Sequence, residues 1–188
     1  MEDNIGQSDE NLAKTVQKGK IEAFGVLITR YEAKLSRYAR KFISGQQDIE
    51  DMIQNIFLKA YKNIQSFNPD LKFSTWIYAI SHNELVNFLK KQKRWPVISI
   101  DTDTFFPAIS DKKNVFEDIL KEEELEIIDK CLHDMSDKYR EIIVLYYFES
   151  LDYRQIADVL RIPINTVGVR LKRAKGQIKK NLSKKWIP

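Results

Sequence analysis

The sequence predicts an all-α protein: two small helical domains joined by a flexible linker, the C-terminal one with a helix-turn-helix. Three observations predict it. Apolar residues recur at i, i+3, i+4 and i+7 through long stretches on both sides of the middle of the chain. Six glycines and five prolines in 188 residues are too few for a turn-rich β fold. Between residues 95 and 114 (WPVISIDTDTFFPAISDKKN) the helical period lapses. The expected boundaries are 1–95 for the N-terminal domain, 96–119 for the linker and 120–188 for the C-terminal domain.

The elements follow in order. Residues 1–8 are expected to be disordered. Asp9 to Lys18 suits a short helix stopped by Gly19, a common C-terminal cap. From Ile21 to Phe42, the residues Phe24, Leu27, Ile28, Tyr31, Leu35, Tyr38, Ala39 and Phe42 trace one buried helical face. Ser44-Gly45 ends that helix and Asp48 starts another, whose inner face is Ile49, Met52, Ile53, Ile56, Phe57, Ala60, Tyr61 and Ile64. Its outer face is polar: Asp48, Glu50, Asp51, Gln54, Asn55 and Lys59. The acids in its first turn suit the helix macrodipole, and they equally suit docking to a basic partner.

In FNPDLKFSTW, residues 67–76, Asn68-Pro69-Asp70 is turn chemistry, and Ser74 or Thr75 is placed to cap the next helix. That helix, Trp76 to about Gln92, is expected to bury Trp76, Ile77, Ile80, Leu85, Phe88 and Leu89. It ends in Lys90, Lys91, Lys93, Arg94 and Trp95. Aromatics and cations beside a polar loop suit unstacked single-stranded bases; Phe73 and Trp76 also read as core anchors. The linker offers short apolar anchors at Val97, Ile98, Phe105 and Phe106. A helix from about Val115 to Leu132 carries Glu117, Asp118, Glu122, Glu123, Glu124 and Glu126 as a solvated face. Ser136 then suits the cap of a helix over Asp137–Glu149, with Tyr139, Ile142, Ile143, Leu145, Tyr146 and Tyr147 as core.

The chain closes on LDYRQIADVLRIPINTVGVRLKRAKGQIKK, residues 151–180. Asp152 and Gln155 form a capping box, and Ile156, Ala157 and Leu160 share the inner face of the short helix that follows. Pro163 cannot continue that helix but suits the opening turn of the next. In the longer helix Val167, Leu171, Ala174 and Ile178 point inward. The other faces carry Asn165, Thr166, Arg170, Lys172, Arg173, Lys175, Lys179 and Lys180, with no acid among them. A single sign of charge favours a DNA-reading helix over an ordinary αα-corner: early polar residues near base edges, later cations near phosphates. At the corner, Arg161 stands where glycine often supplies a positive φ.

The net charge of +4 is unevenly spread. Residues 1–95 hold 15 Lys+Arg against 11 Asp+Glu, residues 96–126 hold 3 against 9, and residues 127–188 hold 13 against 7. Two basic bodies joined by an acidic strap suggest two grips on a polyanion. The single Cys131 excludes an internal disulfide and a Cys-based zinc site, and suits a small core residue in a reducing cytosol. No apolar run approaches a membrane span and the N-terminus is no signal peptide, so a cytoplasmic protein without membrane insertion is expected. His82 and His133 lack ligand spacing, and neither GxxxxGK[ST] nor GxSxG occurs. Neither a catalytic residue, a metal nor a cofactor is expected, and the chain does not read as an enzyme.

Four segments in series resemble the extracytoplasmic-function sigma factors of bacterial RNA polymerase. LAKTVQKGKIEAFGVLITRYEAKL is similar to their opening helices, DIEDMIQNIFLKAYKNIQSF to their core-polymerase-binding helix, and FSTWIYAISHNELVNFLKK to their minus-ten-element helix. MSDKYREIIVLYYFESLDYRQIADVLRIPINTVGVRLKRA is similar to their C-terminal domain. The resemblance implies partners: core RNA polymerase, promoter DNA as duplex and melted strand, and an anti-sigma factor. It implies that Asp48, Asp51, Gln54, Asn55 and Leu58 grip the polymerase clamp. Lys72, Phe73 and Ser74 match the loop that captures a flipped base of the minus-ten element, with Trp76, Asn83 and Lys90 on the helix behind it. Asn165, Thr166, Gly168, Val169, Arg170, Lys172 and Arg173 match the surface reading the minus-thirty-five element.

The sequence departs from the family pattern at Ala79, Lys20 and Asn55, where Arg, Asp and Glu are usual, and at Gly168-Val169, usually Lys-Ser. Those last changes remove a donor from the groove-facing surface and shift weight to shape and phosphate readout. The competing reading is a stand-alone helix-turn-helix regulator binding duplex operators. Such a protein has no use for a clamp face over Asp48–Ile64 or a base-capturing loop over Lys72–Trp76.

Overall fold

The computed structural model describes residues 6–93 and 129–185, and among these there is no strand. The helices are α1 (Asp9–Gln17), α2 (Glu22–Arg40), α3 (Gln46–Asn63), α4 (Phe73–Lys91), α5 (Asp137–Ile143), α6 (Tyr153–Leu160) and α7 (Ile164–Lys185). A 3-10 turn, Ile64–Ser66, follows α3, and a π-helical turn, Val144–Phe148, follows α5. The chain divides into two compact units, the first built on α1–α4. The expected linker anchors and the acidic face up to Glu126 lie outside the described residues.

In the front unit α1 packs on α2, α2 on α3 and α3 on α4, while α4 returns to α1. The interior holds Leu12, Leu27, Leu35, Tyr38, Ile56, Ile77, Leu85 and Leu89, each fully buried. Ser8 caps α1 by accepting from the Asn11 N–H, and Gly19 stops it at φ +92°. The α2 and α3 faces are buried as the period predicts, except that Ile28 and Phe57 are half-buried and Tyr61 is exposed against the Phe24 ring. α3 starts at Gln46, two residues before the expected Asp48, which lies in its first turn.

α4 corrects the sequence reading more strongly. It begins at Phe73, three residues early, and neither Ser74 nor Thr75 caps it. The Phe73 N–H instead donates to Glu10 Oε1 of α1 at 3.2 Å. Helix N-termini need acceptors and favour negative charge, and here both come from 63 residues away. Trp76, Ile80 and Phe88 are only half-buried; Tyr78 and Ser81 take interior places, and the Ser81 hydroxyl donates to the Ile77 carbonyl.

α1 is tied down along its length. Asp9 pairs with Arg30 and accepts from the Tyr31 hydroxyl, each at 2.6 Å. Burial first, and the Asp9 hydrogen bond second, hold the Tyr31 phenol well above its ordinary range, so it stays a donor. Gln17 Nε2 donates to the carbonyls of Ile64 and Phe67, satisfying the turn that leads toward α4.

In the rear unit residues 129–132 are helical and Cys131 is a buried core residue. Ser136 precedes α5 without a side-chain capping bond, contrary to expectation. Arg140, 5% exposed, donates to the carbonyls of Leu132, His133 and Met135 and faces Asp137 at 3.4 Å. It thereby satisfies carbonyls left open where the preceding helix ends. The expected single helix over Asp137–Glu149 relaxes into the π-helical turn, and Tyr139, Tyr146 and Tyr147 are half-buried rather than core.

The capping box of α6 forms as the sequence predicts: Asp152 accepts from the Gln155 N–H and Gln155 accepts from the Asp152 N–H, each at 2.9 Å. Ile156, Val159 and Leu160 are buried, whereas Ala157 is half-buried. Arg161 closes α6 at φ +53°, the left-handed conformation that glycine adopts without strain. In α7 the stripe Val167, Leu171, Ala174 and Ile178 is buried throughout.

Candidate nucleic-acid and polymerase interfaces

On α3, Asp48, Asp51, Gln54, Asn55 and Leu58 are all exposed, and their spacing sets them on one face. Leu58, 55% exposed, places an apolar contact at the end of this carboxylate-and-amide stripe. The start of the stripe is packed tightly: a Cβ at Gly45 would lie 2.8 Å from Asp48 Oδ2. At the far end Lys59 pairs with Glu84 of α4, fixing the two helices against each other.

Lys72, Trp76, Asn83 and Lys90 fall in a row along α4, the last three at intervals of seven residues. Lys72, Asn83 and Lys90 are exposed, and Ser74 and Trp76 are half-buried. Such a row suits a strand laid along the helix: charge for its phosphates, an amide for a base edge, a ring for stacking. Phe73 does not belong to that surface. It is 1% exposed, with the rings of Tyr31, Phe67 and Trp76 at 5.3–5.6 Å. A base has no access to it, so the expected stacking platform is a core anchor that seats the loop.

The α7 surface is also narrower than expected. Asn165 and Lys172 are exposed, while Gly168, Val169, Arg170 and Arg173 are half-buried. Thr166 is 2% exposed and presents no side chain to a groove. Lys175 lies over the rings of Tyr146 and Tyr147, 5.8 and 5.7 Å from their centroids, where cation–π attraction competes with phosphate for its charge.

Three residues escaped the sequence reading. Glu10 caps α4 from α1, and no local spacing signals a partner so remote. Ile164, the first residue of α7, is 43% exposed, an apolar group at the end expected to meet base edges. Leu71, 62% exposed, stands on the turn that leads into α4. The signal for both apolar residues was available: each lies off any buried helical stripe.

No helix among the described residues is long and apolar enough to cross a membrane. Residues 27–94 match the sigma-70 region 2 family, and residues 125–178 match the sigma-70 region 4 family. The chain is 30% identical to the ECF RNA polymerase sigma-E factor of Haemophilus influenzae over 93% of its length and 95% of that protein's. It is 32% identical to the Escherichia coli sigma-E factor over 91% of this chain and 92% of the other. It shares the fold of the sigma factor RpoE of Bartonella quintana, solved with the anti-sigma factor NepR, at a TM-score of 0.62 and 22% identity, covering 85% of this chain and 96% of that one. Both halves of the molecule and nearly all of its length thus agree, and the chain belongs to the extracytoplasmic-function sigma factors of RNA polymerase.

Proposed function

We propose that this sigma factor brings two DNA-binding surfaces to a promoter on core RNA polymerase, the front unit opening the minus-ten element and the rear unit holding the minus-thirty-five element. The observation that carries the reading is the contrast, within the front unit, between the exposed α3 stripe and the row of Lys72, Trp76, Asn83 and Lys90 on α4. One suits a basic protein surface, the other a nucleic-acid strand, and a stand-alone operator-binding protein needs neither. In this reading Asp48, Asp51, Gln54, Asn55 and Leu58 dock to polymerase. Lys72, Ser74, Trp76, Asn83 and Lys90 follow the melted strand, with Phe73 as internal support. Asn165, Gly168, Val169, Arg170, Lys172 and Arg173 approach the upstream duplex, with Ile164 beside them.

The energetics need no nucleotide hydrolysis. Extruding a base costs a few kcal/mol, and binding that prefers the opened strand offsets part of it. The chain therefore works by binding rather than by chemistry of its own, in the compartment that holds polymerase. An anti-sigma factor is the expected regulator, supported by the family and by the complex in which the Bartonella protein was solved. Run-off transcription with purified core polymerase on fragments of the source genome tests the reading. Products starting at discrete sites and dependent on this chain are expected; binding to duplex without any product would favour an operator-binding regulator.

A further inference from the structure

We infer that Leu71 is the wedge that starts strand separation, an assignment that rests on the proposed promoter-opening role of the front unit. Leu71 is 62% exposed, the most exposed large apolar side chain among the described residues. An exposed leucine alone is ordinary, but this one is held up by its surroundings. The Asn68 side chain accepts from the Asp70 N–H at 3.0 Å, and the Asn68 carbonyl accepts from the Leu71 N–H at 3.0 Å. Two nested turns fix the backbone just where the side chain leaves it.

The base of that turn is equally fixed. Phe67 before it and Phe73 after it meet edge to face at 5.5 Å inside the unit, so both ends of the loop are pinned in the same aromatic cluster. Glu10 holds the Phe73 amide and Gln17 holds the Phe67 carbonyl, so α1 secures both stems. A rigid, outward-pointing leucine next to Lys72 has what a wedge needs: an apolar body to enter a base step, and a cation for the phosphate beside it. Phe73, being buried, cannot enter the stack. The other apolar residue of the turn, Pro69, is half-buried, and its remaining neighbours Asn68, Asp70, Lys72 and Ser74 are polar, so Leu71 is the turn's one exposed apolar side chain.

The test uses the full chain with core polymerase on a duplex fragment that yields run-off product, and on the same fragment with a mismatched bubble over the melted segment. Permanganate reactivity of the opened thymines reads the rate of opening on the duplex, and run-off product reads the bubble template, whose strands are already apart. Leu71→Ala is expected to slow opening of the duplex about tenfold, a part of the few kcal/mol that one unstacked step costs, and to leave product from the bubble template unchanged. Leu71→Phe, still apolar and bulky, should restore most of the rate. Being so exposed, the residue should change neither the circular dichroism nor the melting temperature. Equal opening rates for Leu71→Ala and the parent overturn the wedge, and so does an equal loss on both templates, which would mean that Leu71 only holds strand already open. If no duplex fragment yields run-off product with the parent chain, the promoter-opening role itself falls, and that result is distinguishable from either outcome for Leu71.

Discussion

Two helices beside the expected DNA contacts, α4 in the front unit, which carries them, and α6 in the rear, which precedes them, are started in opposite ways. α6 carries its own cap, in which Asp152 and Gln155 exchange two hydrogen bonds across three residues. α4 has no side-chain cap of its own and borrows a carboxylate from Glu10, 63 residues earlier. A local cap forms as soon as its own turn does, whereas a borrowed one exists only after α1 has docked. The helix that precedes the rear unit's reading helix is therefore started by its own sequence, and α4 in the front unit by tertiary structure.

That contrast can be broken. Phe73→Ala should have the largest effect, about 3–5 kcal/mol, since it empties the middle of a fully packed aromatic cluster. Hydrogen exchange should accelerate across α1–α4 and leave α5–α7 unchanged; an effect confined to the few amides beside Phe73 would deny the cluster its central role.

The next test sets the two caps side by side. Glu10→Ala should cost about 1–2 kcal/mol because it removes a charged acceptor and leaves a half-buried amide bare. Its mark should appear at both α1 and the start of α4. Asp152→Ala should cost about 1 kcal/mol and appear at α6 alone. If Glu10→Ala affects α1 only, the hydrogen bond to Phe73 contributes nothing to α4.

The smallest expected change sharpens the rear side of the comparison. Arg161→Gly relieves a left-handed non-glycine residue and should stabilise by about 0.5–1 kcal/mol, the steric gain reduced by the greater freedom of glycine in the unfolded chain. A fall in the melting temperature would mean that the arginine side chain makes contributions outweighing its backbone strain.

How much of this was legible follows the same division. The inner faces of α2 and α7 were readable because burial there repeats along one helix, and Val167, Leu171, Ala174 and Ile178 are all buried. The α6 capping box and the Gly19 stop were readable because partner and helix lie within one turn. The α3 stripe was readable too, as a set of residues on one face, although its role came from resemblance. What failed was non-local. The fate of Phe73 depends on Tyr31 and Phe67 arriving from other segments, and a composition of aromatics and cations describes a binding surface and a core equally well. Thr166 was misplaced because a polar side chain in the first turn of a basic helix was assumed to face outward. It is instead buried, like Val167 beside it. Ser136 and Ser74 show the same limit: α4 begins before Ser74, and Ser136 holds the N-cap position of α5 without a side-chain bond.

Gly45 has an unremarkable φ of −75°, so the backbone there would accept any residue; what glycine supplies is room for the Asp48 carboxylate. A methyl group at that position meets the movable tip of a side chain rather than a wall, and the carboxylate swings aside at little cost to the fold. On the proposed docking face, a substitution at Gly45 thus re-aims the Asp48 carboxylate and leaves the helical interior as it was.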